Sequence, residues 1–355
     1  ASDVYKRQDY GLLDMKGLNA LLLLAFILSS SVMVSIPYSY PPQVSADINT
    51  GDPPSPSPFQ DEALLSHIQK FSSLGSRVSG YPGSEEAAKY IMDYFNKTLG
   101  LEVVVQDYPV AVPVDEGSYI EVISPSPHNF SAYAFWPNYV QASTAPPEGI
   151  SGKLVYVGEG DLKDFDYKTV EDSILLMDID SGYNWLNGVN FGAKAVIFIE
   201  AEAHRYEFSK KLLRNPIYVP RLYVSVEDGY ALKNLAGEGA VVSVHSNMQY
   251  RNRNAKNVIG ILEGRSADNV IIVSTHYDDW SAVPRKAPGA DESSGIASLL
   301  ELARYYTEAP APPYNTIWFV AFSGHWQGLA GPREFVEKFL FSSKSSRTQL
   351  KCGCR

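Results

Sequence analysis

Apolar positions along the chain recur with two different periods, which divide it into helical and extended segments. The apolar residues from Leu64 to Phe71 recur at helical spacing, and a second helix is predicted from Ser84, with two glutamates in its first turn, to Gly100 as its stop. Short apolar runs between turn residues predict strands. These runs begin at Leu101, Tyr119, Lys153, Ser173, Gly192, Val219 and Ala240. The pattern is that of a mixed α/β protein.

A second pattern begins after Asn257. The run "NVIIVSTHYDDW", residues 269–280, predicts a strand that is buried on both faces. It is followed by a helix with apolar residues from Ile296 to Ala303 on one face, and then by the strand "NTIWFVAF", residues 315–322. Strand, helix and strand in this order predict a right-handed parallel crossover within an α/β sheet. Ligands of such sheets bind at the C-terminal ends of the strands.

The N-terminal region has the layout of an exported protein. Residues 15–36 combine a charged start, Met15-Lys16, with the uncharged apolar run "LNALLLLAFILSSSVMVSI", residues 18–36. This run predicts either a cleaved export signal or a retained membrane anchor, and both alternatives remain open. Residues 37–60 are rich in proline and serine and predict an extended linker. We therefore expect an extracellular protein or one that is anchored facing outside; residues 1–14 precede Met15 and need not be native.

Composition narrows the kinds of partner and of site. The chain has 355 residues, of which 45% are hydrophobic, so it can bury a large core. Its formal net charge is −10 and it has no long Lys/Arg block, which argues against a nucleic-acid partner. Cys352 and Cys354 are its two cysteines, and they can neither staple the core nor complete a four-ligand zinc site by themselves.

Polar side chains follow the predicted strands at three places: His276-Tyr277-Asp278, "PGADESSG" (288–295) and Ser323 to Gly331. Because strand ends meet at one edge of the sheet, we expect these groups to converge. His276 suits a metal ligand with Asp278 as the carboxylate that supports its imidazole. Asp291, just before a helix that Ser293 or Ser294 can cap, suits a bridging ligand. Each residue alone has an ordinary structural explanation, and only their joint occurrence indicates a metal site.

These motifs resemble the co-catalytic di-zinc peptidase family that includes bacterial leucyl aminopeptidase and glutamate carboxypeptidase. The likeness runs from the opening "LGSRVSGYPGSEEAAKYIMDYF" through "THYDDW", "PGADESSG" and "FVAFSGHWQGLAG", in the family's order. It implies a zinc-exopeptidase-like α/β fold, a mostly parallel sheet flanked by helices, with an inserted β-rich domain similar to the protease-associated domain. It also implies zinc as cofactor and a peptide or protein as substrate.

The resemblance divides the remaining chain into four parts. Residues 61–149 form the N-terminal part of the peptidase domain, 150–248 the protease-associated-like insert and 249–341 the peptidase core. Residues 342–355, "SSKSSRTQLKCGCR", differ in composition from the body of the chain. We expect this tail to be non-native and the C-terminal part of the peptidase to be missing.

Carried over residue by residue, the resemblance makes His276 a zinc ligand, Asp278 its supporting carboxylate and Asp291 the ligand that bridges two zinc ions. In the family, glutamates stand at the positions of His325 and Trp326, one as general base and one as zinc ligand. The family also uses a later aspartate and histidine, whereas residues 327–355 contain neither. An imidazole can replace either glutamate but not obviously both, and an indole can replace neither. His276, Asp291 and His325 could at most form a mononuclear zinc site.

Two functions of different kinds follow from this inventory. The first is an exported zinc peptidase of the aminopeptidase type, with His325 at the general-base position. The alternative is a catalytically degenerate, peptidase-like binding protein, which Trp326 at a ligand position favours. Cyclisation of an N-terminal glutamine by a mononuclear relative is a weaker third interpretation, because that chemistry also needs an acidic residue near the metal. The sequence carries no signal for the oligomeric state.

Overall fold

The computed structural model describes residues 59–200, 205–287, 289 and 292–341. The apolar run 18–36, nearly all of the linker 37–60, Asp291 and the tail 342–355 lie outside these residues, so the predictions for them stay predictions. In the described part of the chain, no helix is long and apolar enough to cross a membrane.

The helices of the described residues, in chain order, are α1 (Asp61–Ser72), α2 (Pro82–Asp93), α3 (Trp185–Asn190), α4 (Arg205–Ser209), α5 (Val226–Gly237), α6 (Ser293–Thr307) and α7 (Ala330–Phe335). The strands are β1 (Glu102–Ser124), β2 (His128–Ala134), β3 (Ile150–Tyr156), β4 (Ile174–Asp178), β5 (Ala195–Ile199), β6 (Arg221–Val224), β7 (Val241–Leu262), β8 (Ser266–His276) and β9 (Asn315–Phe322). A 3-10 turn (Leu162–Phe165) precedes β4, and π-helical turns (Tyr94–Thr98 and Val336–Phe341) follow α2 and α7.

A long antiparallel ribbon of β1 and β7 organises the sheet. Its register runs from Glu102 opposite Ile261 to Ser124 opposite Val241. At one end of the ribbon, β2, β6, β5, β4 and β3 connect β1 back to β7 and close a ring of strands. At the other end, β9 pairs with β7 and β8 pairs with β9. One pair of long strands thus belongs to both halves of the sheet.

The ring of strands is built from short apolar runs, as the sequence predicts. β3, β4, β5 and β6 pair in parallel, and every residue of β5 is buried. Ser225 caps helix α5 by accepting a hydrogen bond from the Asp228 N–H at 3.1 Å. The ring also uses β1 and β2, which lie before residue 150. The limits of the predicted insert, 150 and 248, therefore stay a prediction.

The other half of the sheet carries the predicted crossover. β8 and β9 are parallel and joined through α6, which confirms the strand–helix–strand prediction. Helices α1, α2 and α6 pack together on β9 around Phe71, Ile91, Leu300 and Phe319. On the opposite face, Trp318 packs against the ring of Phe335 in α7. The α/β fold class with a sheet flanked by helices is confirmed.

The predicted burial of β8 on both faces is wrong. Ile271 and Ile272 are 47% and 38% exposed, because β8 is the last strand of the sheet within the described residues. The strand with the buried run is β9, in which residues 317–321 are all buried. The continuous apolar run therefore predicted the parallel pair of β8 and β9 correctly, but the buried strand of this pair is β9 and not β8.

Candidate active site

The C-terminal ends of β8 and β9 form the site's floor. His276, the last residue of β8, lies opposite Phe322, the last residue of β9. The segments that follow, Tyr277 to Asp279 and Ser323 to Trp326, therefore leave the sheet at the same edge, as the sequence predicts. A third segment, the loop between α1 and α2, joins them through hydrogen bonds of Ser79.

Two imidazoles and a carboxylate meet at this edge. The rings of His276 and His325 stack with their centroids 4.1 Å apart and an interplanar angle of 14°. The Nε2 atom of His276 lies 3.2 Å from a carboxylate oxygen of Glu292. Burial lowers the pKa of His325, the neighbouring His276 lowers it further, and Glu292 opposes the change. Burial and His276 therefore both favour the neutral imidazole of His325, which has a nitrogen lone pair able to accept a proton.

Asp278 is fully buried and anchors the segment after β9. One of its oxygens accepts hydrogen bonds from the Ser79 hydroxyl at 2.8 Å and from the His325 backbone N–H at 3.0 Å. Its other oxygen is buried without a hydrogen-bond partner among the described residues. Burial raises the pKa of Asp278 to about 6, against the opposing effects of His276 and of the hydrogen bonds. Its carboxylate thus positions His325 through the backbone.

We predict that Asp278→Asn removes a pH dependence of stability. The folded-state pKa of Asp278, about 6, is above the ordinary 3.8. The free energy of unfolding of the wild type is therefore highest below pH 4, where Asp278 is protonated in both states, and it falls as the pH rises to about 6. The difference corresponds to about 3 kcal/mol. Urea unfolding of metal-free wild type and variant between pH 4 and 7 measures it, and the variant should gain by this amount relative to the wild type. A constant difference across this range would contradict the prediction.

A buried arginine, Arg77, holds the backbone segments of the site together through hydrogen bonds. The guanidinium of Arg77 donates hydrogen bonds to the backbone carbonyls of Tyr277 at 3.1 Å, Phe71 at 3.1 Å and Gly289 at 3.0 Å. Burial lowers its pKa, while the charges of Asp279, Asp278 and Glu292 oppose this change. The side chain is completely inaccessible to solvent. Arg77 therefore ties the end of β8 and the segment before α6 to α1.

The turn after β9 is closely packed. Gly324 and Leu329 adopt positive φ angles of 66° and 58°, and the Ala330 N–H donates to the Gly324 carbonyl at 2.9 Å. A side chain at Gly331 would collide with the Ser323 carbonyl oxygen. Backbone geometry, together with the hydrogen bonds that the Gly324 and His325 N–H groups donate to Ser79 and Asp278, thus presents His325 and Trp326 at the edge of the sheet.

The predicted site residues have different outcomes. The structure brings His276, Asp278 and His325 together, whereas Asp291 lies outside the described residues. The predicted capping of α6 by a serine side chain is wrong: α6 has no side-chain cap, and Ser293 instead donates to the Gly289 carbonyl at 2.7 Å. The Ser293 hydroxyl hydrogen-bonds to the backbone carbonyl four residues earlier instead of capping the helix.

Sequence reasoning missed Arg77, Ser79 and Glu292 as parts of the site. Arg77 and Ser79 lie about 200 residues before Tyr277 and Asp278, which they contact, so no local spacing connects them. Their signal was the opening motif "GSRVSG", which contributed only to the resemblance. Glu292 follows Asp291 directly in "PGADESSG", where the sequence pattern assigns a ligand role to Asp291 alone.

Zinc fits the chemical types of these side chains. His276, His325 and Glu292 offer imidazole nitrogens and a carboxylate oxygen, which are ordinary zinc donors. The buried carboxyl of Asp278 lies close enough to His276 for that residue to lower its pKa, and one of its oxygens has no hydrogen-bond partner among the described residues. Within the ranges that the structure describes, no three His, Cys, Asp or Glu side chains are already arranged as a metal-binding group. A complete site would need Asp291.

Comparisons with known proteins found one matching family model and several peptidases of similar sequence or fold. Residues 257–352 match peptidase family M28. Aminopeptidase YwaD of Bacillus subtilis (strain 168) is 26% identical over 287 residues, which cover 79% of this chain and 58% of that protein. The glutamate carboxypeptidase 2 homolog of Caenorhabditis elegans is 35% identical over 109 residues, 29% of this chain and 13% of that protein. This chain thus spans little more than half of YwaD.

The fold is also similar to a solved structure, that of BSAP, a zinc aminopeptidase from Bacillus subtilis. The TM-score is 0.52 at 24% sequence identity, and the alignment covers 82% of this chain and 67% of the BSAP chain. At this identity the likeness concerns the fold alone. The family match begins at Asn257 and includes the strand ends with His276, Asp278 and His325. The segment that holds the candidate site is therefore similar to peptidase family M28.

Proposed function

We propose that this protein is a zinc-dependent aminopeptidase, which removes residues from the N-terminal ends of peptides. The observation that carries the proposal is the meeting of His276, His325 and Glu292 at the C-terminal ends of β8 and β9. This meeting lies inside the segment that matches the peptidase family. The name of the Bacillus subtilis relative, aminopeptidase YwaD, supports the type of peptidase.

Zinc would be held by His276 and Asp291. Glu292 or His325 would be a further donor. When bound, zinc supplies Lewis-acid activation of a water molecule and of the scissile carbonyl. If Glu292 is the further donor, His325 is free to act as general base. Its neutral imidazole accepts the proton of the attacking water and then returns it to the leaving amine. Asp278 keeps His325 in place through its hydrogen bond to the His325 N–H.

The second candidate is a peptide-binding protein without hydrolytic activity. Trp326, which can neither ligate zinc nor transfer that proton, stands edge-on to His276 with ring centroids 6.4 Å apart. The same strand-end geometry would then hold a peptide without cleaving it. Turnover separates the two candidates.

We further propose that the protein is exported and acts outside the cytoplasm, cleaved or anchored at residues 18–36. The uncharged apolar run after Met15-Lys16 supports this proposal. Fractionation of cells that express the chain with a C-terminal tag tests it. Recovery of full-length protein in the cytoplasmic fraction alone would contradict export.

Metal removal and return test the proposed hydrolysis. The full chain, dialysed against a chelator, is assayed with leucine p-nitroanilide before and after zinc is restored. We expect zinc to raise kcat/KM by at least about 100-fold. The N-acetylated substrate is the control, since an aminopeptidase requires the free amine and should leave it intact. Absence of turnover in zinc-loaded protein would reject the enzyme in favour of the binding protein, and equal cleavage of both substrates would reject the aminopeptidase type.

A further inference from the structure

Three indole rings lead away from the imidazole pair in an unbroken series. The Trp326 ring is 5.0 Å from the His325 ring and 6.4 Å from the His276 ring. Trp280 follows 6.0 Å from Trp326, and Trp136 follows 6.0 Å from Trp280. These separations lie within the range in which aromatic rings attract one another. We call Trp136, Trp280 and Trp326 the tryptophan wall.

The backbones that carry the wall are fixed by hydrogen bonds. The Trp136 N–H donates to the Ala282 carbonyl at 2.6 Å, and the Trp136 carbonyl accepts from the buried Arg221 guanidinium at 2.9 Å. The Trp280 N–H donates to the Asp279 carboxylate at 2.7 Å. The wall is therefore a preformed surface that joins the end of β2 to the strand ends of the site.

The three tryptophans of the wall are at least partly exposed to solvent, whereas the other two tryptophans of the chain are buried. Trp326 is 39% exposed and Trp136 and Trp280 are partly exposed, whereas Trp185 and Trp318 are buried. Single exposed apolar residues are common on proteins, but contiguous aromatic surface beside a polar site is typical of ligand binding. The wall is made of flat indole rings without a charged group, and such rings pack well against a flat apolar group.

We propose that the tryptophan wall binds the side chain of the substrate's terminal residue and selects aromatic side chains. The inference rests on the proposed function for the site next to it. A terminal residue whose peptide bond lies at His276 and His325 has its side chain within reach of Trp326, because the rings adjoin. Ring-to-ring contact then favours an aromatic over a small aliphatic side chain. Trp326, in contact with both imidazoles, is the specificity-determining residue.

Binding of amino alcohols tests the wall without requiring turnover. Calorimetry on the zinc-loaded full chain compares L-phenylalaninol with L-alaninol, neither of which has an amide to cleave. We expect the wild type to bind L-phenylalaninol at least about tenfold more tightly. Trp326→Ala should abolish this preference, and Trp326→Phe should retain most of it. Equal affinities in the wild type, or an unchanged preference in Trp326→Ala, would overturn the proposal.

Tyr314→Ala is the matched control. Tyr314 is 64% exposed and precedes β9, at the opposite end of the strand from His325, so its loss should leave the preference intact. Loss of the preference in this control would overturn the assignment to Trp326. Turnover tests the proposed function and the role of the tryptophan wall separately. Hydrolysis of phenylalanine and alanine anilides at equal kcat/KM would overturn the role of the wall alone. Preferential binding of L-phenylalaninol without any hydrolysis overturns the proposed function and supports the wall.

Discussion

Replacing His276 by alanine is expected to lower aminopeptidase kcat/KM by at least about a thousandfold and to reduce the zinc retained after dialysis. His276 ends β8, stacks on His325 and faces Glu292, so it is the central donor of the described cluster. Its side chain is partly exposed, and its truncation should leave the fold intact. Leucine anilide turnover and zinc content per chain, measured on the same preparation, check the prediction.

His245→Ala is the matched control, because this histidine also stacks on an aromatic ring and faces a carboxylate, those of Tyr119 and Glu121. It lies on β7 in the ring of strands, and we expect neither zinc content nor turnover to change. His325→Ala then assigns the second imidazole. Loss of turnover with retained zinc identifies a base, and loss of both identifies a ligand. Wild-type turnover in His276→Ala would disprove the assignment of the active site to these strand ends.

Replacing Arg77 by methionine is expected to lower the free energy of unfolding by about 3 to 5 kcal/mol. The variant leaves the carbonyls of Phe71, Tyr277 and Gly289 without their donor in the protein interior. It also removes the positive charge that faces the buried Asp278 and Asp279. Methionine keeps much of the volume, so the loss reports on the polar contacts. Urea unfolding followed by circular dichroism measures it.

Arg251→Met provides the comparison, because Arg251 also pairs with a carboxylate, that of Glu116, at 2.7 Å but is 40% exposed. Exposed ion pairs contribute little, so we expect almost no change in unfolding. Equal effects of the two substitutions would contradict the assigned role of Arg77. Turnover of Arg77→Met under folding conditions should fall as well, because its contacts hold the segments with His276 and Glu292 together.

Local pattern was sufficient for the elements and for the core of the site. The runs at Ser173 and Gly192 became β4 and β5, and the series of strand, helix and strand around α6 gave a parallel pair. Side chains that follow parallel strands are brought to one edge by the sheet itself. The meeting of His276 and His325 could therefore be expected from chain order.

Other features were beyond local pattern. The runs at Leu101 and Tyr119 form one strand, β1, and β7 continues past the run at Ala240 to Leu262. Their pairing over this length depends on partners more than 100 residues apart. The exposure of β8 likewise depends on which strands flank it, and apolarity alone cannot report that.

By itself, the amino-acid sequence determined the α/β class, the order of strand and helix, and the residue types of the candidate site, because periodicity and motif order are local properties of the chain. Tertiary structure alone decided that Arg77 and Ser79 support the site, that Glu292 faces His276 and that three tryptophans form one wall. Such contacts join residues up to 245 positions apart. Their geometry comes from packing of the whole sheet, which no window of sequence contains.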